Sequence, residues 1–347
     1  MSLAVLMPHE VLKETRKPEL QTVIRYSLNA DDWLVLCGGF EDRAVGVLKN
    51  AISTQTPFQV LLIKYEPHLG ANKVDEIYSM CAKAGISIRE AIYNTQCPAG
   101  FGENLTALLS DCHGRVFLDV SAMSRLLIVQ LMLALGARAD GFADCFVAYA
   151  QATNYPPTRN EAEAKLAKSE KDQTYGVLFL SSGVFEVTVV PELSSSAMAG
   201  DQTRLVMFPS LDAHHLIALR TELQPSRFSF IEGAPPDREN AWRKPTIADL
   251  NHLNQIREAE RFETSTLWYA ETLDCLVDIY SRHSLRERLM IAPTGSKMQA
   301  VAVGIFRSFV QDVQIVHPTP RGFCDPSNYT HGIGKLHLLP LGPLAWR

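Results

Sequence analysis

A pattern that recurs along a chain limits it to folds built from copies of one unit. Residues 34–40 (LVLCGGF) and 205–211 (LVMFPSL) are both apolar, strand-like runs that break at a Gly or Pro turn. Farther along each half, 119–125 (DVSAMSR) and 291–297 (IAPTGSK) follow a short apolar run, end in a hydroxyl residue and a cation, and open a run of small apolar residues. Ser124 with Arg125 and Ser296 with Lys297 keep nearly the same offset as the earlier pair. A chain of 347 residues is long enough for two such units, each with its own core.

The pieces between these anchors repeat in order. Strand-like runs at 33–37, 58–65, 115–120 and 145–150 are separated by helical patterns at 42–51, 73–84 and 126–137; in the second half, strands at 204–208, 228–231, 288–292 and 313–317 alternate with helices at 213–223, 263–281 and 298–310. Strands that alternate with helices pair in parallel through crossovers, and their continuous apolar runs fit sheets covered on both faces. The expected fold class is therefore α/β: two tandem Rossmann-like three-layer units with mainly parallel sheets, related by internal duplication. A small, polar linker at 194–201 (SSSAMAGD) places the domains at 1–196 and 197–347. Each half is expected to close on a strand or hairpin, 175–193 around a Ser-Ser-Gly turn and 335–341. The charged stretch 158–173 and the stretch 233–245 each read as a surface loop or a short solvated helix.

Composition narrows the functional classes. With 46% hydrophobic and 20% charged residues the chain is of globular type, and a net charge of −5 argues against coating duplex nucleic acid through a broad basic face. The seven cysteines are scattered without a CxxC pair, so neither a disulfide framework nor a zinc knuckle is expected, and the pair His214, His215 has no metal-ligand spacing. No metal and no cofactor are expected. The first twenty residues do not resemble a secretory signal, and the longest apolar run, 126–137, is too short to span a bilayer. The expectation is a cytoplasmic protein with no membrane contact.

In an open parallel sheet, ligands sit beyond the carboxyl ends of the strands, so the candidate loops are 37–43 (CGGFEDR), 119–125, 208–215 (FPSLDAHH) and 292–297. A helix N-terminus exposes unpaired N–H groups and positive partial charge, which suits an anion. Thr294, Gly295, Ser296 and Lys297 offer hydroxyls, a flexible glycine and a cation there; Ser121, Ser124 and Arg125 offer the same in the other half. Gly38 and Gly39 permit close backbone approach, Arg43 is in reach of a phosphate, and Ser210 lies in the matching strand-exit loop of the second half. The competing reading is local: Asp42, Ser124 and Ser296 as helix caps, Arg43 paired with Glu41. A cap alone does not call for a following cation. Tyr155 and Tyr329, in turns after the last parallel strand of each half, are candidates for base stacking or for packing within Pro-fixed turns. Neither GxGxxG nor the Walker spacing is present, Ser121 and Ser124 lie in no GxSxG elbow, and Cys37 reads as a buried thiol.

A strand followed by [ST]-x-x-[ST]-[RK] or TGSK and a small-residue helix resembles the ligand loop of CARF domains, the CRISPR-associated Rossmann fold that senses cyclic oligoadenylates. Two such units in one chain resemble the tandem arrangement in SAVED sensors. The resemblance implies that Ser124, Arg125, Thr294, Ser296 and Lys297 bind ribose-phosphate while 38–43 and 210–215 supply the other wall. It implies sensing of a nucleotide or cyclic oligonucleotide second messenger in prokaryotic antiviral defence, in a cleft between pseudo-symmetric lobes. The absence of an effector motif implies a separate effector protein, and a homo-oligomer is a further partner expectation. One alternative is a metal-independent phosphodiesterase of the ring-nuclease kind, with Lys297 and Arg125 stabilising charge on phosphate. Another is a non-catalytic interaction subunit.

Overall fold

The computed structural model describes residues 7–171, 181, 183–322 and 328–344. The first half runs α1 (Pro8–Glu14), β1 (Gln21–Val23), β2 (Trp33–Cys37), α2 (Gly46–Ile52), β3 (Gln59–Glu66), α3 (Val74–Ala84), β4 (Ser87–Asn94), α4 (Phe101–Ser110), β5 (Val116–Asp119), α5 (Arg125–Gly136), β6 (Cys145–Ala150), α6 (Arg159–Lys171) and β7 (Val184–Val189). The second runs β8 (Thr203–Met207), α7 (His214–Leu223), β9 (Arg227–Ala234), α8 (Arg243–Leu250), β10 (Glu260–Ser265), α9 (Tyr269–His283), β11 (Arg288–Ala292), α10 (Lys297–Phe309), β12 (Gln314–Pro320) and β13 (Leu336–Pro340). The charged stretch 158–173, read as a loop or solvated helix, is α6. Of the hairpin expected at 175–193, residues 175–180 and 182 lie outside the described ones, and the described part holds β7 and a short 3-10 turn at Pro191–Leu193.

Two mainly parallel sheets form, ordered β1-β13-β6-β5-β2-β3-β4 and β10-β9-β8-β11-β12-β7. Within each, the parallel strands follow one winding, first strand at the centre, second and third to one side, fourth and fifth to the other. This is the Rossmann-like order, with the winding reversing between β2 and β5 in one sheet and between β8 and β11 in the other. The central strands are apolar and buried on both faces: every residue of β2 and all but the first of β8 and β11 are buried. Leu34, Leu36, Val60 and Leu62 pack with Val47, Leu48 and Ile77 from α2 and α3. Leu205, Met207, Phe228 and Phe230 pack with Leu216, Leu219 and Ala248 from α7 and α8.

The domain cut differs from the one at 196/197. Contacts divide the chain into one unit of Met1–Thr15, Ile128–Leu133 and Pro157–Cys324, and another of Arg16–Leu127, Ala134–Pro156 and Asp325–Arg347. The physical reason is an exchange of strands. β7 follows the first half in sequence but pairs antiparallel with β12, and β13 follows the second half but pairs antiparallel with β6. Each exchanged strand covers the open side of the last parallel strand in its sheet, satisfying a row of backbone donors and acceptors. In the seven-stranded unit β1 then pairs along the outer side of β13.

β13 carries Leu339, fully buried, and His337, 2% exposed with its Nε2 lacking a partner among the described residues. Burial, and then Lys335, push the His337 ring below its ordinary 6.5. The native state thus keeps this imidazole neutral, while the unfolded chain takes up a proton below about pH 6.5. The contribution is complete above that pH and is lost as the pH falls below it. The denaturant midpoint of the seven-stranded unit is expected to fall between about pH 7.5 and about pH 5.5, and His337→Gln to flatten that fall. Separately, Leu339→Ala is expected to cost about 2–5 kcal/mol in denaturant unfolding. By hydrogen exchange it should deprotect β6 and leave β8 and β11 protected.

Candidate functional site

Both hydroxyl-and-cation loops stand at the place where the strand winding reverses. In the seven-stranded unit the exit of β2 and the entrance of α5 are neighbours; in the six-stranded unit the exit of β8 and the entrance of α10 are. The structure thus gathers Gly38, Gly39, Arg43, Ser121, Ser124, Arg125, Tyr155 and Tyr329 into one unit. Ser210, Thr294, Gly295, Ser296 and Lys297 belong to the other. Tyr155 and Tyr329, expected one per half, share a unit because the segment entering β13 crosses over.

In the seven-stranded unit the local chemistry serves the fold first. The Gly38 N–H donates to Ile63 O at 3.0 Å, and the Lys73 N–H donates to Gly39 O at 3.0 Å. A Cβ on Gly38 would stand 2.6 Å from Val74 Cγ2, and one on Gly39 2.9 Å from Ala122 Cβ. The glycines therefore let this loop sit against the start of α3 and against the β5–α5 loop, a packing demand rather than an approach to a ligand. Arg43, 5% exposed, donates to Glu41 Oε1 at 2.9 Å and to the Tyr149 hydroxyl at 3.1 Å. Burial opposes its charge, but Glu41 and the Tyr149 hydroxyl outweigh it and raise the guanidinium pKa.

Ser121 is fully buried; its hydroxyl donates to Asp119 and accepts from the Ala150 N–H at 2.8 Å, tying the β5 exit to the end of β6. Ser124 caps α5, its Oγ accepting from the Leu127 N–H at 3.3 Å. The Tyr65 hydroxyl, at the end of β3, accepts from the Ser124 N–H at 2.6 Å. Burial and then Cys37 push that phenol well above its ordinary value, so it remains a neutral hydroxyl at the mouth of the helix. The Tyr155 hydroxyl accepts from the Ala152 N–H at 3.1 Å, and the Tyr329 ring meets Phe40 edge-on at 4.8 Å. Both tyrosines have packing roles in the described structure. Tyr65 was not among the sequence candidates, although a tyrosine closing the apolar run VLLIKY was the available signal.

The six-stranded unit repeats the logic with different atoms. Thr294, 1% exposed, donates its hydroxyl to Phe208 O at 2.7 Å, joining the two loops at the reversal. Ser210 Oγ accepts from the Asp212 N–H at 3.2 Å, and Asn251 Nδ2 donates to Ser210 O at 2.8 Å. Ser296 caps α10 through a reciprocal box: its Oγ accepts from the Gln299 N–H at 3.1 Å, and its N–H donates to Gln299 Oε1 at 2.8 Å. Its hydroxyl also donates to Thr266 O at 2.6 Å. Gln299 Nε2 goes on to Thr264 Oγ1 at 3.1 Å, whose hydroxyl meets Thr272 Oγ1 at 2.9 Å. Gln299 was missed, though Ser-x-x-Gln is the capping-box spacing. Lys297 and Arg125 are half-buried at the first helical position of α10 and α5.

No family model and no curated protein matches this chain. Among solved structures it is similar to the cytoplasmic domain of a prokaryotic cation chloride cotransporter, at 10% identity over 87% of this chain and 98% of that one, with a TM-score of 0.23. It is also similar to the adenylation, ketoreductase and pseudo-Asub multidomain structure of a keto acid-selecting NRPS module, at 8% identity over 86% and 34%, TM-score 0.20. A third is a ketoreductase domain from the bacillaene assembly line, at 12% identity over 86% and 69%, TM-score 0.20. Likenesses at these scores carry no argument, and the fold rests on the strand order itself.

What each reversal brings together is positive charge beside engaged hydroxyls. The hydroxyls of Ser121, Thr294 and Ser296 donate to partners inside the fold, while each helix brings a positive N-terminus and a cation. An open groove of about 530 Å³, lined by Arg159, Glu163, Arg238 and Trp242 among others, lies elsewhere in the six-stranded unit and includes none of the sequence-derived residues. No described helix is long and apolar enough to cross a membrane. Because a Cβ on Gly295 would stand 2.9 Å from Phe208 Cβ and closer still to Gln299 Oε1, Gly295→Ala is expected to cost about 1–3 kcal/mol. Gln299→Ala, which removes the box, is expected to cost about 1–2 kcal/mol. Thermal denaturation of the two variants checks both.

Proposed function

We propose that the protein binds a phosphate-bearing nucleotide, of the cyclic oligonucleotide class, at the reversal points of its sheets. The observation that carries this is the cation at the first position of both α5 and α10. A positive side chain there opposes the helix macrodipole, at about 0.3–1 kcal/mol. A departure from the local rule at the same place in both units is what ligand sites tend to show. An anion between helix end and cation reverses the sign of that interaction, and the crevice at a reversal of winding is where open α/β sheets take ligands.

Nucleotide identity, a CARF-like sensing role, a place in antiviral defence and a cytoplasmic setting rest on the resemblance of the two loops to that family. A separate effector protein and self-association belong to the same reading. Within it, Arg125 and Lys297 hold phosphate, and the Tyr65 hydroxyl is a polar neighbour of the first. Isothermal calorimetry with cyclic di-, tri- and tetranucleotides tests it. Binding of at least one member is expected, weakened roughly 10–100-fold by Lys297→Ala or Arg125→Ala and falling with added salt. Folded protein that takes up none of the panel overturns the proposal.

A further inference from the structure

An antiparallel strand added to a parallel sheet begins where its neighbours end. β13 starts opposite the end of β6, with Leu336 beside Ala150, and β7 starts opposite the end of β12, with Val184 beside Pro320. The described part of each segment that precedes an exchanged strand, 328–335 before β13 and Ser181 before β7, therefore lies at the carboxyl end of the parallel strands, the side that holds the reversal point. There it meets an aspartate. Asp42 and Asp212 each stand five residues after the final residue of the central strand, Cys37 of β2 and Met207 of β8.

Asp42 Oδ2 accepts from the Gly332 N–H at 3.0 Å, and Asp212 Oδ2 accepts from the Ser181 hydroxyl. Neighbouring contacts reinforce each fastening. The Thr330 hydroxyl donates to Glu41, and Thr153 Oγ1 donates to His331 O at 2.9 Å. Gly332 has a φ of +72°, and a Cβ there would stand 2.2 Å from Thr153 Oγ1, so the turn that aims its N–H at Asp42 requires glycine. On the other side, Leu211 packs with Ala162 of α6, and His215 Nε2 lies 3.7 Å from Asp212 Oδ2.

We infer that Asp42 and Asp212 are the latches of a conformational switch: Asp42 holds residues 328–335 and Asp212 holds Ser181 against the exit loop of the central strand, and release of a latch frees the residues it holds while the parallel strands stay paired. The same loops form one wall of the proposed anion sites, so the latches are placed to report occupancy along the chain. That consequence alone rests on the functional reading; the latches themselves do not. The Gly332 N–H, against a smaller opposing effect of burial, holds Asp42 below the usual carboxylate range, with Lys73 at 3.4 Å and His331 also facing it.

Hydrogen exchange on the full-length protein without ligand tests the latches. Asp42→Ala is expected to speed exchange of residues 328–335 about tenfold, with β2, β5 and β8 unchanged. Asp212→Ala is expected to do the same for 183–190 and not for 328–335. Asp42→Asn, which keeps an acceptor, should restore most of the protection, and Thr330→Val supplies a milder release should Asp42→Ala not fold. Unchanged exchange in 328–335 for both Asp42→Ala and Thr330→Val overturns the inference, as does equal deprotection of the whole seven-stranded sheet. A protein that shows latch release but takes up no cyclic oligonucleotide defeats the functional proposal and leaves the latches standing.

Discussion

The last parallel strand of an open sheet presents a row of N–H and C=O groups that must find partners, and here those partners come from the wrong half of the chain. β6 is completed by β13 and β12 by β7. Divided at 196/197, neither half of the sequence holds a finished sheet by itself, because the strand that completes each sheet is drawn from across that boundary. The backbone requirement is ordinary; its solution by exchange is what sets the units, the position of the aromatic turns and the segments lying at the reversal points.

Antiparallel direction has a further effect on the chemistry. Had the exchanged strands run parallel, their entry segments would lie at the amino ends of the sheets, away from the helix N-termini. As built, residues 328–335 reach Glu41 and Asp42, and Ser181 reaches Asp212. Two carboxylates next to a proposed anion site are electrostatically awkward, and in the seven-stranded unit their charge is answered by Arg43, Lys73 and the Gly332 N–H. Hydroxyls that looked available to a ligand are engaged in the same economy of buried polar groups. Ser121 and Thr294 each join two loops, since a buried hydroxyl left without a partner costs more than the bond it makes.

Much of the architecture was legible from periodicity. The long apolar runs of β2, β3, β5 and β6 and their counterparts announce strands covered on both faces, and the small-residue helices after Ser124 and Ser296 announce themselves by their caps. Besides the three-residue β1, the strands that escaped, β4 and β10, are the outermost parallel ones. Their sequences, SIREAIYN and ERFETS, are charged and half-solvated as edge strands are, so the apolar signal fades where burial does. Part of β10 was absorbed into the helix that follows it. Tyr65 carried little signal for another reason: its role depends on the Ser124 N–H that stands opposite it in the fold, whereas the Ser-x-x-Gln spacing of Gln299 is local and legible.

The amino-acid order alone determined the class of fold, the duplication, and the two places where a hydroxyl and a cation open a helix, because these follow from short-range periodicity and capping. Tertiary structure alone decided which strand completes which sheet, that Tyr155 and Tyr329 share one unit, and that Gly38 and Gly39 serve loop packing. The reason is that strand pairing at a sheet end is a contest among backbone groups that every residue carries equally. Side-chain pattern marks which segments can pair, and the geometry of the folded chain chooses between them.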